Sequence, residues 1–221
     1  MRFRAEQRRL ESACMATIDL IATERRTVAD EIQRLTRDQL ATPSLCAGWT
    51  VHDIGAHLLM PLTVSTWSFA LAMAKSLGNF DKANVALTGK VAARPTADIC
   101  SELRAQAEHP FTPPGFGLEA PLTDLLVHGE DFRRPLGSPH RFDPEALRIG
   151  LDFVTSKKAQ GTFAAKGRLD EIRLDAVDIG WSFGSGARVE GDAIDVILAV
   201  CGRAVALNRL AGDGVRALRA G

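Results

Sequence analysis

Between residues 11 and 40 the apolar side chains Ile18, Ile21, Val28, Ile32 and Leu35 recur at spacings of three, four and seven, with charged residues between them. That period predicts an amphipathic helix, ending before Pro43. A loop of Ser44, Cys46, Gly48 and Trp49 leads to Thr50, which can cap a second helix with Asp53 three residues on in capping-box position. This second helix is expected to run, kinked, past Pro61 to about residue 77. Residues 78–89, charged and poor in large apolar side chains, are expected to form a connection. A third helix is expected after Pro95, capped by Thr96, with Ile99, Leu103 and Ala107 facing inward and His109-Pro110 closing it before a Pro/Gly-rich loop. A fourth covers roughly residues 122–134.

Beyond residue 140 the period changes. Asp143-Pro144 opens another short helix, after which residues 171–175, 179–183 and 188–190 alternate as strands do, punctuated by Gly180, Gly184, Gly186 and Gly191. A helix over residues 192–201 and a last helical segment after Gly212 complete the pattern. The expected architecture is a four-helix bundle over residues 1–140, the kind that places metal sites between facing helices, and a small α/β domain over residues 141–221.

Composition narrows the function classes. Lysine plus arginine and aspartate plus glutamate number 27 each, so the formal net charge is zero and no global field attracts nucleic acid or anionic lipid. Cys14, Cys46, Cys100 and Cys201 are scattered without a CxxC pair, which fits a reduced compartment and argues against an all-cysteine zinc site. The basic start, Met1-Arg2-Phe3-Arg4, is followed by further charge and supplies no apolar core for a signal peptide. Residues 58–74 lean apolar but are interrupted by Pro61, Thr63, Ser65, Thr66 and Ser68, as in a buried helix rather than a membrane span. The expectation is a cytoplasmic protein, monomeric or homodimeric, with small-molecule partners.

The candidate chemistry lies on two of the helices. Side chains four apart lie about 40° apart around a helix axis, so Asp124 and His128 share one face and Asp131 continues the stripe. The same arithmetic puts His57 on the inward side of the second helix, with Ile54 and Leu58, and points His52 toward solvent. Two imidazoles and a carboxylate are the ligand set of many catalytic zinc sites, in which the fourth position stays open. Nickel, iron or manganese would fit nearly as well. Each element alone has a plainer reading: a D-xxx-H pair as a surface ion pair, an inward histidine as hydrogen-bonded core. Asp131 can orient a ligating imidazole or bridge to Arg134. Cys46, just before the metal helix, reads as a structural thiol with a nucleophile as its other role, and Trp49 as an anchor at the end of the bundle, with the mouth of a pocket as its other placement.

Three segments carry a family resemblance. Residues 42–58 (TPSLCAGWTVHDIGAHL) resemble the opening signature of the mycothiol-dependent maleylpyruvate isomerase family, within the DinB-like metal-binding bundles. Residues 124–137 (DLLVHGEDFRRPLG) match a second signature, and residues 181–191 and 202–215 look like the family's C-terminal sterol-carrier-like α/β domain. The resemblance implies a divalent metal, zinc foremost, held by His57, Asp124 and His128. It also implies mycothiol as thiol cosubstrate and a catalytic Arg203 reaching from the small domain to hold a substrate carboxylate bidentately. Members usually carry glutamate where this chain has Asp124, one methylene shorter. The implied activity is thiol-dependent S-transfer or cis–trans isomerisation of an electrophilic substrate. Metal-assisted hydrolysis with Asp131 as base, and non-catalytic ligand binding, are the alternatives.

Overall fold

The computed structural model describes residues 2–220. It forms two compact units. One comprises the chain up to Phe111 together with His128–His140; the other comprises Thr112–Val127 and Arg141 onward. Helix α7 (Glu119–Leu136) runs unbroken through both segments, so the relative placement of its own residues is set by helix geometry.

In the first unit the helical period is realised with finer breaks than expected. Helix α1 spans Arg2–Gln33 and buries Ile21, Val28 and Ile32. The chain then turns, and Thr36 caps a separate short helix α2 (Arg37–Leu40) through a capping box with Gln39, so the single helix expected to residue 40 is two. Helix α3 (Val51–Thr63) starts as expected. The Thr50 side chain accepts from the Asp53 amide, and the Asp53 carboxylate accepts from the Thr50 amide at 2.8 Å.

The expected kink is a full break. Val64 and Ser65 are extended, Ser65 caps α4 (Thr66–Lys75), and the two helices meet at 118°. Pro61 lacks the N–H that would bond the carbonyl of residue 57, which weakens the last turn of α3. Residues 78–89, expected as a connection, instead lie mostly in α5 (Phe80–Ala92), where Asn79 caps the helix and Ala83, Leu87 and Val91 form its buried stripe. The period is present there, but carried partly by small side chains.

Helix α6 (Thr96–Ala105) is capped by Pro95 without a side-chain bond. The Thr96 hydroxyl is engaged elsewhere, 2.9 Å from His52 Nδ1, while His52 Nε2 lies 2.8 Å from the Ala92 carbonyl. A carbonyl only accepts, so Nε2 carries the proton and Nδ1 accepts from Thr96. His52, expected in solvent, therefore ties α3 to the ends of α5 and α6.

Close approach of α1 and α3 depends on Gly55, where an added Cβ would sit 3.2 Å from Ile32 Cδ1. Fully buried Arg133 fixes α7 in this unit by donating from Nε to Glu31 Oε2 at 2.7 Å. Arg25 closes the C-terminal side of α6, its guanidinium donating to the carbonyls of Ala107 and His109 at 2.8 and 2.7 Å.

In the second unit Asp143 caps α8 (Pro144–Val154) by accepting from the Glu145 amide. Strands β1 (Ile172–Ala176), β2 (Trp181–Gly184) and β3 (Ala187–Gly191) form a sheet ordered β2-β1-β3, with β1 antiparallel to β2 and parallel to β3. The short link from β2 to β3 must cross the start of β1. Gly184 and Gly186 adopt positive φ there, and a Cβ on either would strike the backbone carbonyl of Ile172 or Glu171.

Helix α9 (Ala193–Val200) is buried at nearly every position and packs on α8 and β1. A 3-10 turn (Ala204–Arg209) and α10 (Val215–Ala220) complete this unit. The helical bundle and small α/β part expected from the sequence are both present. Among the described residues no single helix is long and apolar enough to cross a membrane.

Two predictions concern stability. Gly55→Val forces a branched side chain against Ile32 and is expected to cost about 1–3 kcal/mol, read from urea unfolding. In the second unit, Asp175 on β1 accepts from Arg173 Nε at 3.1 Å and Arg188 Nε at 2.7 Å. These hydrogen bonds hold its carboxyl below the ordinary carboxylate range. A depressed folded pKa means that the contribution is complete above the unfolded value of about 4 and is lost as pH falls through the folded value. With half-exposed arginines the contribution is about 1 kcal/mol. Asp175→Asn should lower neutral-pH stability by that amount and flatten the acid limb of an unfolding titration followed by Trp181 fluorescence.

Candidate metal centre

Helix α3 is indexed by its capping box, and burial of Ile54 and Leu58 turns His57 into the bundle, where its side chain is buried. Helix α7 buries Leu125, Leu126 and Phe132, and its polar stripe, Asp124, His128 and Asp131, recurs at helical spacing. One ligand atom from each of His57, Asp124 and His128 lies within 4.8 Å of the other two. The His57 and His128 rings meet edge to face, with centroids 4.5 Å apart. The shorter aspartate thus still comes within reach of both imidazoles.

Asp131, with no exposed surface, sets the chemistry of His128. Its Oδ2 lies 2.8 Å from His128 Nδ1. A carboxylate at that distance favours the proton on Nδ1, the tautomer in which Nε2 can ligate a cation, and raises the basicity of the ring. Of the two partners open to Asp131 in the sequence, the imidazole lies within 2.8 Å, and Arg134 donates from Nε to Glu130 Oε2 at 2.7 Å. The Asp131 backbone carbonyl accepts from the Leu45 amide at 2.9 Å, which ties α7 to the loop before α3.

That loop brings in two further side chains. The Trp49 indole lies beside the histidines, 4.8 Å from the His57 ring centroid and 6.1 Å from that of His128. Its place is therefore against the imidazoles, not simply at the end of the bundle. Cys46, read as a structural thiol, falls within 4.8 Å of ligand atoms of His128 and Asp131. Its only sequence signal was its position in the loop that precedes the metal helix. Arg203, in the second unit, precedes the 3-10 turn, and its Nη1 donates to the Cys201 carbonyl at 2.9 Å.

The donor set suits a divalent transition metal. Two neutral nitrogens and one carboxylate oxygen satisfy three positions of a tetrahedral ion and leave another for an exogenous ligand, while the Asp131–His128 pair supplies the outer support that ligating histidines commonly have.

Residues 21–111 match the family model described as the mycothiol maleylpyruvate isomerase N-terminal domain. None of the curated proteins matches the chain by sequence. Among solved structures, the crystal structure of the mycothiol-dependent maleylpyruvate isomerase is similar with a TM-score of 0.61 at 12% identity, covering 90% of this chain and 92% of that one. The crystal structure of a histidine-to-alanine mutant of that isomerase gives a TM-score of 0.54 at 11% identity, with the same coverage. At such identities the likeness is one of fold, and it extends over both parts of the chain. Residues 21–111, which include His57 and its signature, are thus similar to the N-terminal domain of the mycothiol maleylpyruvate isomerase family.

Proposed function

We propose that the protein is a metal-dependent enzyme that uses a low-molecular-weight thiol, mycothiol, for S-transfer to an electrophile or for cis–trans isomerisation of one. The observation that carries this reading is the convergence of His57, Asp124 and His128, with Asp131 on the far nitrogen of His128. The family match and the likeness to a mycothiol-dependent isomerase support the choice of thiol.

In this reading His57 Nε2 or Nδ1, a carboxylate oxygen of Asp124 and His128 Nε2 hold one divalent ion, zinc by ligand type. A dication so held favours the thiolate over the thiol of a ligand in its open position, which supplies a nucleophile at neutral pH. Asp131 keeps His128 in the ligating tautomer. The Trp49 indole covers one side of the imidazoles, limiting water there. Arg203 is assigned the substrate carboxylate, for which a planar guanidinium offers two parallel donors. Addition of sulfur to a conjugated double bond leaves a single bond that can rotate, and expulsion of the sulfur returns the trans isomer. Protonation of the adduct gives S-transfer instead.

Hydrolysis is the less favoured reading because it needs a general base. Asp131, the candidate for that role, is fully buried and paired with His128.

Two predictions test the proposal. His57→Ala should remove the cation held by the His57–Asp124–His128 set and abolish thiol-dependent turnover; full turnover by the variant would sink the mechanism. Asp131→Asn should weaken zinc binding about 10- to 100-fold, read by competition with a chromophoric chelator, while the fold is retained by circular dichroism.

A further inference from the structure

A second group of donors lies beside the first and shares His128 with it. Cys46 Sγ, a His128 ring nitrogen and an Asp131 oxygen all lie within 4.8 Å of one another. All three belong to the first unit, and the segment that presents the thiol is well tied. Leu45 N donates to the Asp131 carbonyl at 2.9 Å, Cys46 N donates to Ser44 Oγ at 3.2 Å, and Ser44 Oγ donates to the Trp49 carbonyl at 2.9 Å. A tetrahedral ion with metal–ligand bonds of about 2.0–2.3 Å needs donors roughly 3.3–3.8 Å apart, so small rotamer adjustments suffice.

We propose that Cys46, His128 and Asp131 form a second, thiolate-bearing cation site that takes thiophilic divalent ions and shares His128 with the first. The chemistry of the set separates it from its neighbour. Sulfur replaces one imidazole, which shifts preference toward zinc, cadmium and cobalt and away from magnesium, calcium and manganese. Asp131 exchanges its hydrogen bond to Nδ1 for a bond to the ion.

Sharing His128 has a consequence for occupancy. A neutral imidazole offers one lone pair, its other nitrogen holding the proton. An ion at Nδ1 obliges the proton to sit on Nε2, which removes His128 from the first set. The two sites therefore exclude one another, and filling the second releases one proton, that of the Cys46 thiol. The other thiols are unsuited to this role. Burial pushes the Cys100 thiol up to about 11, only partly offset by Arg104, Cys14 is exposed on α1, and Cys201 belongs to the second unit.

The test is a cobalt titration of the metal-free full chain, read by absorption. Wild-type protein should develop a near-ultraviolet sulfur-to-cobalt band alongside visible ligand-field absorption. Cys46→Ser should lose the ultraviolet band and keep the visible absorption of the first set. His57→Ala should keep the ultraviolet band and strengthen it, because the competing site is gone. Absence of the band from saturated wild-type protein, or its persistence in Cys46→Ser, would overturn the proposal. A band in wild type and His57→Ala, with no cobalt absorption at all in folded Cys46→Ser, would count against the first site and for the second. If Cys46→Ser does not fold, alkylation decides on the unmodified chain. Cadmium should slow iodoacetamide labelling of Cys46 by about tenfold or more, since the bound sulfur is no longer a free nucleophile; undiminished labelling at saturating cadmium overturns the proposal.

Discussion

Polar side chains taken into a helical bundle are tolerable only when each is held by another group, and Asp131 meets that requirement for the whole metal-side face of α7. Its carboxylate lies 2.8 Å from His128 Nδ1, and its backbone carbonyl accepts from the Leu45 amide. The first contact fixes which nitrogen of His128 faces the cation. The second anchors the loop whose far end, Thr50, caps α3 and so sets the rotation of His57. Loss of this one residue would leave a buried imidazole without its orienting partner and loosen the loop at the same time. Two residues further on, Arg133 does the same for the helix as a body, its guanidinium fixed on Glu31 of α1. The position of the site is thus a property of helix-to-helix polar contacts, while the apolar core supplies the bulk of the burial.

Much of this was legible in the chain because it is local. The Thr50 box, the Asp143 cap, the inward place of His57 and the i, i+4 pair Asp124–His128 all follow from periodicity and capping chemistry within a few residues. What was not legible depended on contacts between distant segments. His52 was placed in solvent by angle alone, yet α5 and α6 bring Ala92 and Thr96 to its two nitrogens. The same contact explains why Thr96 does not cap α6. Helix α5 was missed because its stripe leans on a small residue, Ala83, which a reading of large apolar side chains discounts. The break after Pro61 was read as a kink because a proline signals a weakened turn but says nothing about the extended residues that follow.

The loop between α2 and α3 shows the same division at the site. In sequence, Cys46 and Trp49 sit before a helix cap with no ligand spacing to connect them to residues far along the chain. Their meeting with His128 comes from the fold of the loop onto α7, through a backbone hydrogen bond that any residue type at position 45 except proline could make. A contact built from main-chain groups leaves no compositional mark, so in sequence only the position of the loop before the metal helix pointed to it.

The ligand chemistry follows from side-chain length and softness. Aspartate at position 124 has less reach than the glutamate usual in the family, so a cation bound there must sit nearer the axis of α7, and therefore nearer His128. Cys46 Sγ lies within 4.8 Å of a ring nitrogen of the same imidazole. A shorter carboxylate draws a cation of the first set toward α7, whereas a thiolate at Cys46 favours ions that accept sulfur over those that demand oxygen. Because the two donor sets share His128 and exclude one another, His128 is the residue on which the choice between them turns.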